Sequence, residues 1–265
     1  MKREFKIDLG AYTARIGYTG GLDPTIETLK DLHFAHSTTI PFENLDILLG
    51  RPITLELDWL QAKLIAGRRG GYCFEQNTLF AAVLESLGFN LTRLAARVRF
   101  GSAEIRPRLH MLLSVEVDGE PWLADVGFGR VGPLHPIRLN QSEAVRQLAW
   151  TFRISRDGDL YVLQSLHDDV WFDLYAFTLE PQEPVDFVVA NHYTSTHPDS
   201  PFVQTLVVQR YSPDTCWILR NLELTVEKAG EKSAETLWDD DALNNALADL
   251  FDLHFPAGIR FHYQR

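Results

Sequence analysis

The pattern of apolar residues changes at about residue 90, and this change limits the possible folds more than any other feature of the chain. Before it, apolar residues recur at helical spacing, as at Leu57, Leu60 and Leu64. After it, apolar and other residues alternate, as in 94–100 and 109–117, which is typical of β-strands. The sequence therefore predicts an α+β fold that is helical first.

The helical part contains three predicted helices. The first starts at 23–25, with Pro24 just inside the cap, and Pro41 ends it. A short helix covers 57–64. The third starts at Cys73 and closes at Gly88, where a left-handed residue commonly ends a helix.

The middle part is predicted to be an antiparallel sheet that forms a small barrel or curls. Asp118-Gly119 and Asp157-Gly158 are strong hairpin turn signals. Prolines near 181–184 indicate a boundary. The last part mixes strands at 202–211 and 217–226 with a helix whose apolar stripe consists of Leu243, Leu247, Leu250 and Phe251.

Cys73 is the first candidate for chemistry. It follows Gly70 and Gly71, which permit a tight turn and a close backbone approach, and it precedes the third helix. The start of a helix directs unpaired N–H groups and partial positive charge outward, which stabilises a thiolate. Because the thiolate is the reactive form of cysteine, Cys73 is a candidate nucleophile, although an isolated cysteine is more often a small buried residue.

A cysteine nucleophile needs a base and a group that orients the base. A hairpin turn at Asp118-Gly119 places Asp125 opposite Leu112, and His110 shares the face of Leu112. His110 and Asp125 are therefore predicted to be diagonal neighbours. The other face of that strand, with Met111, is the apolar one.

Two further motifs are interpreted without a cofactor. The segment 127–132 matches G-x-G-x-x-G, but Pro133 and Pro136 prevent the helix that binds a dinucleotide, so it is predicted to be a glycine loop near Asp125. The pairs His33/His36 and His192/His197 have no carboxylate at a metal-binding spacing, so no metal site is predicted.

Composition limits the partners and the compartment. The net charge of −11 argues against nucleic acid, while leaving room for a small anion held by local cations. With two cysteines in 265 residues, a disulfide framework is not expected. There is no signal peptide or apolar run of membrane-helix length, and a cytoplasmic protein is expected.

Five segments together resemble the arylamine N-acetyltransferase family in its bacterial form. Residues 69–77 resemble its R-G-G-x-C-x-E-x-N signature, and 40–45 resemble I-P-F-E-N-L. The resemblance extends to the histidine strand at 110–113, the D-V-G-F-G loop at 125–129, and 195–202 before the last part. Order and spacing agree over about residues 1–205.

The resemblance implies a fold of three parts: a helical bundle carrying the nucleophile at 1–88, a β-barrel carrying the histidine and aspartate at 89–183, and an α/β lid at 184–265. The first two parts would be arranged as in a cysteine protease. It implies acetyl-CoA as donor, and arylamines, arylhydrazines or N-hydroxyarylamines as acceptors, with neither a metal, a nucleic acid nor a membrane as partner. A homo-oligomer is possible.

The resemblance also implies roles for individual residues. Cys73, His110 and Asp125 would be the catalytic triad, and Arg69 and Glu75 would form a structural ion pair. The implied acceptor-binding residues are Phe42, Phe128, Gly129 and Phe202, and the implied CoA-binding residues are Gly127, Thr196 and Ser200.

Three alternatives stay open on the sequence. The same triad serves cysteine hydrolases, and an amide synthase would use it with a carrier-bound acyl donor. A binding protein with an inert cysteine would show no reactive thiol.

Overall fold

The computed structural model describes residues 6–100, 102, 104–129, 132–228, 231–256 and 258–264. Its first part is helical, as predicted. The elements are α1 (Leu9–Ile16), α2 (Ile26–Thr39), strand β1 (Phe42–Glu43), α3 (Leu45–Leu48), α4 (Leu57–Leu60), which continues as a π-helix (Gln61–Ala66), and α5 (Cys73–Ser86).

Helix α2 begins slightly later than predicted. Thr25 has extended backbone, and its hydroxyl accepts the N–H of Thr28 at 3.2 Å, so Thr25 is the cap and Pro24 lies outside the helix. The other end agrees with the prediction, because the helix stops before Pro41.

The middle part is an eight-stranded antiparallel sheet that curls into a nearly closed barrel, with the strand order β5-β4-β3-β2-β9-β8-β7-β6. Its strands are β2 (Asn90–Val98), β3 (His110–Val117), β4 (Glu120–Ala124), β5 (Ile137–Arg138), β6 (Val145–Gln147), β7 (Trp150–Asp157), β8 (Leu160–His167) and β9 (Val170–Phe177). Ile137 of one edge strand and Val145 of the other pack in the same interior cluster, as closure of a barrel requires.

The hairpin between β3 and β4 has the predicted register. Asp118 and Gly119 both have positive φ, at 52° and 77°, and Leu113 pairs with Ala124. In the next hairpin Asp157 is still paired with Leu160, so that turn lies one residue later than predicted. The turn into β9 at Asp168-Asp169, with φ of 47° and 62°, lacks a glycine and was missed in the sequence.

The last part has a five-stranded sheet in the order β1-β10-β11-β12-β13. Its new elements are α6 (Pro184–Thr196), α7 (Pro201–Gln204), β10 (Val207–Tyr211), β11 (Thr215–Arg220), β12 (Glu223–Lys228), β13 (Glu231–Thr236) and α8 (Asp240–Phe251). The predicted strand at 202–211 begins as helix α7. The predicted strand at 217–226 is a hairpin, because Asn221 turns the chain with φ of 53°. The predicted helix with its apolar stripe is α8.

Strand β3 is buried on both faces. Met111, Leu113 and Val115 pack against the helices, whereas Leu112 faces the barrel interior. The face of β3 that carries His110 is therefore also buried. The strand lies between the core formed with the helices and the core inside the barrel. The predicted limits 1–88, 89–183 and 184–265 fall near the ends of α5 and β9, and the division into domains stays a prediction.

Among the residues that the structure describes, no helix has both the length and the apolar character needed to cross a membrane.

Candidate active site

Cys73 is the first residue of α5 and is 4% exposed. Its Sγ lies 3.8 Å from the carbonyl oxygen of Leu109, directly before the histidine strand. The turn before the helix depends on Gly70, because a Cβ there would collide with the carbonyl oxygen of Pro41. The thiol is therefore at the start of a helix, as predicted, and is enclosed by the barrel side.

His110 and Asp125 are in direct contact. His110 opens β3, Asp125 follows β4, and the distance from His110 Nε2 to Asp125 Oδ2 is 2.7 Å. Both side chains are buried. Because Nε2 contacts Asp125, Nδ1 is the ring nitrogen available to the Cys73 thiol. The structure thus brings together the three residues that the sequence proposed as a triad.

The electrostatics of the pair favour its charged form. Burial by itself would lower the pKa of His110, but the Asp125 carboxylate, together with the nearby Cys73 thiol, raises that pKa. Burial would raise the pKa of Asp125, and the contacts with His110 and Asn77 lower it instead. Their attraction outweighs the cost of desolvation, so the Asp125 carboxylate stabilises the positive charge that His110 gains when it takes up a proton.

Asn77 joins the helix of Cys73 to Asp125, and no role was predicted for it from the sequence. Its Nδ2 donates to Asp125 Oδ1 at 2.9 Å and to the Met111 carbonyl at 2.7 Å, while its Oδ1 accepts the N–H of Val126 at 3.1 Å. The available signal was its spacing, since a residue four positions after Cys73 lies on the same helix face.

Gly127 packs directly on Cys73. A Cβ at this position would lie 2.8 Å from the Cys73 Cα, and the Gly127 N–H donates to Asp125 Oδ1 at 3.0 Å. The loop that carries Asp125 can therefore approach the helix start only with glycine here.

The predicted ion pair between Arg69 and Glu75 is wrong. Glu75 contacts Lys63 at 2.7 Å, and its other oxygen accepts the Tyr72 N–H at 3.1 Å, because a glutamate at the third helical position folds back over the helix start. Burial raises the pKa of Glu75 to about 7 despite Lys63. Arg69 turns the other way and donates to Glu43.

The proposed acceptor-binding residues form two neighbouring groups. The ring centroids of Phe42 and Phe202 are 5.9 Å apart, and Gly129 lies against Phe42. The ring centroid of Phe128 lies 5.1 Å from that of His110 and 4.9 Å from that of Tyr175. Aromatic side chains therefore lie next to the His110–Asp125 pair.

A small cavity is lined in part by Phe42, Phe128, Gly129 and Asp125. The volume that the centre of a water-sized sphere can occupy in it is about 20 Å³, so the cavity has room for roughly one water molecule. It is too small to hold an aromatic acceptor in this conformation.

The proposed CoA-binding residues are more scattered. Gly127 lies at Cys73, whereas Thr196 is at the exposed end of α6 with its hydroxyl donating to the His192 carbonyl at 2.6 Å. The Ser200 hydroxyl is buried and donates to the Thr194 carbonyl at 2.5 Å. Arg130 and Val131 of the glycine loop lie outside the described residues.

The histidine pairs have ordinary environments. His33 and His36 are buried and hydrogen-bonded to protein groups, and His197 stacks on Tyr193. Within the described ranges, no group of three or more histidine, cysteine, aspartate or glutamate side chains is arranged to hold a metal ion.

Comparison with known proteins agrees with the family resemblance of the sequence. The N-acetyltransferase family profile matches residues 25–259. The arylamine N-acetyltransferase of Mycobacterium tuberculosis (strain ATCC 25618 / H37Rv) is 41% identical over 254 residues, covering 94% of this chain and 90% of the relative.

Two solved structures superpose over nearly the whole chain. The Nocardia farcinica arylamine N-acetyltransferase has a TM-score of 0.90 and 43% identity, covering 94% of this chain and 90% of its own. The Mycobacterium marinum enzyme in complex with CoA has a TM-score of 0.90 and 38% identity, covering 93% of each chain. The protein therefore belongs to the arylamine N-acetyltransferase family of acyltransferases.

Proposed function

We propose that this protein transfers an acetyl group from acetyl-CoA to the nitrogen of arylamines, arylhydrazines or N-hydroxyarylamines through an acetyl-Cys73 intermediate. The contact between His110 and Asp125 beside a thiol at a helix start carries this proposal. The relative from Mycobacterium marinum that was solved with CoA supports the identity of the donor.

The first half-reaction loads the enzyme. Cys73 gives its proton to His110, whose positive charge is stabilised by Asp125. The thiolate attacks the acetyl carbonyl, and the N–H of Cys73, which has no intrahelical partner at a helix start, stabilises the developing oxyanion. The bond from the carbonyl to the CoA sulfur breaks, and His110 returns a proton to that sulfur.

The second half-reaction transfers the acetyl group from Cys73 to the acceptor. The amine nitrogen attacks the acetyl carbonyl of the thioester on Cys73, and His110 takes the proton that the nitrogen loses. The carbon–sulfur bond breaks, the amide leaves, and the thiol is regenerated. Because donor and acceptor react in turn at one sulfur, the kinetics are of the ping-pong type.

Binding roles follow from placement. Phe42, Phe128, Gly129 and Phe202 form the aromatic surroundings of the acceptor. Gly127 is the part of the proposed donor site nearest the sulfur. Thr196, which is exposed, would contact a more distant part of CoA, whereas the predicted contact of Ser200 is not part of this proposal because its hydroxyl is buried. We also propose a cytoplasmic location, which agrees with two free cysteines, and the oligomeric state stays a prediction.

The decisive experiment is intact-mass spectrometry of the protein mixed with acetyl-CoA alone. We expect one acetyl group on Cys73 and release of free CoA thiol. Cys73→Ala should lose both, whereas Cys216→Ala, which removes the other buried thiol, should retain both.

Acetyl transfer to an arylamine at the wild-type rate by Cys73→Ala would refute the proposal. Adding an arylamine to the loaded enzyme separates the alternatives: an amide product supports transfer, and free acetate alone indicates a hydrolase. Loading only from a carrier-bound acyl group, and not from acetyl-CoA, would indicate an amide synthase.

A further inference from the structure

The segment 125–134 carries Asp125, the acid of the proposed triad, and Phe128 of the proposed acceptor site. Strand pairing ends at Leu113 and Ala124, so the N–H of Asp125 lies beyond the last residue pair of the β3–β4 ladder. A buried N–H without a partner destabilises the folded state. Asp125 is buried, and something other than the sheet must accept this N–H.

His33 of α2 is that acceptor. Its Nε2 receives the N–H of Asp125 at 3.1 Å, and its Nδ1 lies 3.0 Å from the carbonyl oxygen of Leu134. One imidazole therefore holds both ends of a loop whose ends are nine residues apart in the chain. Its ring is fully buried and packs edge-on against Phe80 of α5.

These two contacts require one protonation state. Nε2 must be unprotonated to accept from Asp125, and Nδ1 must carry hydrogen to donate to Leu134. Burial lowers the pKa of His33 to about 4, which keeps the ring neutral near pH 7. The titratable groups that face it are Asp125 from the loop, His135 directly after the loop, and His36 from its own helix.

The contacts of Asp125 divide into two sets. Asn77, Gly127 and His110 hold the carboxylate, whereas His33 holds the backbone N–H. If the backbone shifts, the 2.7 Å contact to His110 must lengthen or the carboxylate must leave its other donors.

We propose that His33 is a positioning residue that clamps both ends of segment 125–134 and thereby fixes the contact between Asp125 and His110. His33 itself touches no reacting atom. The proposal rests on the proposed role of the triad, and its test uses thiol reactivity, which does not depend on the identity of either substrate.

Two substitutions separate the two contacts. Gln extends its amide to the Nε2 position and can accept from Asp125, whereas Asn places its amide near Nδ1 and can serve only Leu134. In a Cys216→Ala background, the rate of Cys73 alkylation by iodoacetamide is measured from pH 5 to 9. For His33→Asn we expect a rate about tenfold lower near pH 6.5 and a profile moved to higher pH, since loss of one such hydrogen bond is of that size. His33→Gln should remain within about threefold of wild type.

Leu32→Ala is the matched control for stability, because it removes a buried apolar side chain of the same helix and neither hydrogen bond of His33 involves it. It should lower the unfolding temperature and leave the alkylation profile unchanged. A His33→Asn profile like that of Leu32→Ala, or a His33→Gln profile as impaired as that of His33→Asn, would overturn the proposal.

A measurement on the unaltered protein covers the case in which His33→Asn does not fold. Imidazole ¹⁵N shifts should show His33 as the neutral Nδ1–H tautomer at pH 7, and the Nε2–H tautomer or an imidazolium would contradict the clamp. If acetyl-CoA fails to load Cys73 but the alkylation and tautomer results hold, the proposed function fails and the clamp stands.

Discussion

Asn77 shows how much a single buried side chain contributes at the residue scale. It makes three hydrogen bonds, to the Asp125 carboxylate, the Met111 carbonyl and the Val126 N–H. Its amide presents a donor and an acceptor from one rigid group. It thereby keeps the acid loop and the histidine strand at fixed positions relative to Cys73.

Asn77→Ala tests this role. We expect kcat/KM for acetyl transfer to fall about 10- to 100-fold, since the loss of these hydrogen bonds leaves Asp125 less well oriented. Ser86→Ala, near the other end of α5, is the control and should leave the rate unchanged within about twofold. Steady-state assays of both variants decide the matter, and equal rates for Asn77→Ala and wild type would contradict it.

At the element scale, helix α2 carries a buried polar chain into the site. The ring of His36 contacts the Tyr12 hydroxyl at 2.9 Å and Gln76 Oε1 at 3.2 Å, and Gln76 in turn donates to the Gly71 carbonyl at 2.7 Å. Burial lowers the pKa of His36 to about 3. The helix thus supports the turn before Cys73 with a histidine that must stay neutral.

Because His36 is neutral in the folded protein, the free energy of unfolding depends on pH with a definite sign. Between pH 6.5 and about 3 the unfolded chain binds a proton at His36 and the folded chain does not, so acidification favours unfolding. The slope for one such group is about 1.4 kcal/mol per pH unit. Relative to His36→Gln, which does not titrate, the wild type should lose stability between pH 6.5 and 4.5.

Urea unfolding of both proteins at several pH values measures this difference. Taking it between the two proteins removes the contributions of His33 and Glu75, which titrate in the same range and have opposite signs. Parallel stability curves would show that His36 is not held neutral by burial.

At the scale of the whole molecule, Asn44 connects parts that are far apart in the chain. Its Nδ2 donates to the carbonyls of Phe202 and Thr205 at 2.7 Å each, and its Oδ1 accepts the N–H of Val207 at 2.8 Å. Directly before it, β1 pairs with β10. The first and last parts therefore share a sheet and a part-buried hydrogen-bond cluster.

Asn44→Ala should destabilise the whole protein by roughly 2–4 kcal/mol, because it leaves three part-buried backbone groups without their partner. We expect one cooperative unfolding transition shifted to lower denaturant. Asn140→Ala, at an exposed position, is the control and should change stability by less than about 0.5 kcal/mol. A change confined to a separate early transition would show that the last part unfolds independently.

Local patterns predicted more of this molecule than the long-range pairings did. The helix start at Cys73, the register at Asp118-Gly119 and the stripe of α8 depend on neighbouring residues, and the structure agrees with all three. Helix α6 was missed because only Phe187, Asn191 and Thr194 are buried on it, so its apolar pattern is weak. Strand β9 was missed because its turn is Asp168-Asp169.

The sequence by itself determined the position of Cys73 on its glycine turn and the contact of His110 with Asp125, since helix starts and hairpin register follow from local spacing. Only the tertiary structure decided which charges pair and what supports the acid. Arg69 forms an ion pair with Glu43, and Glu75 forms one with Lys63. His33 reaches Asp125 across 92 positions of the chain. Such partners depend on how the helices pack against the barrel, which no local spacing specifies.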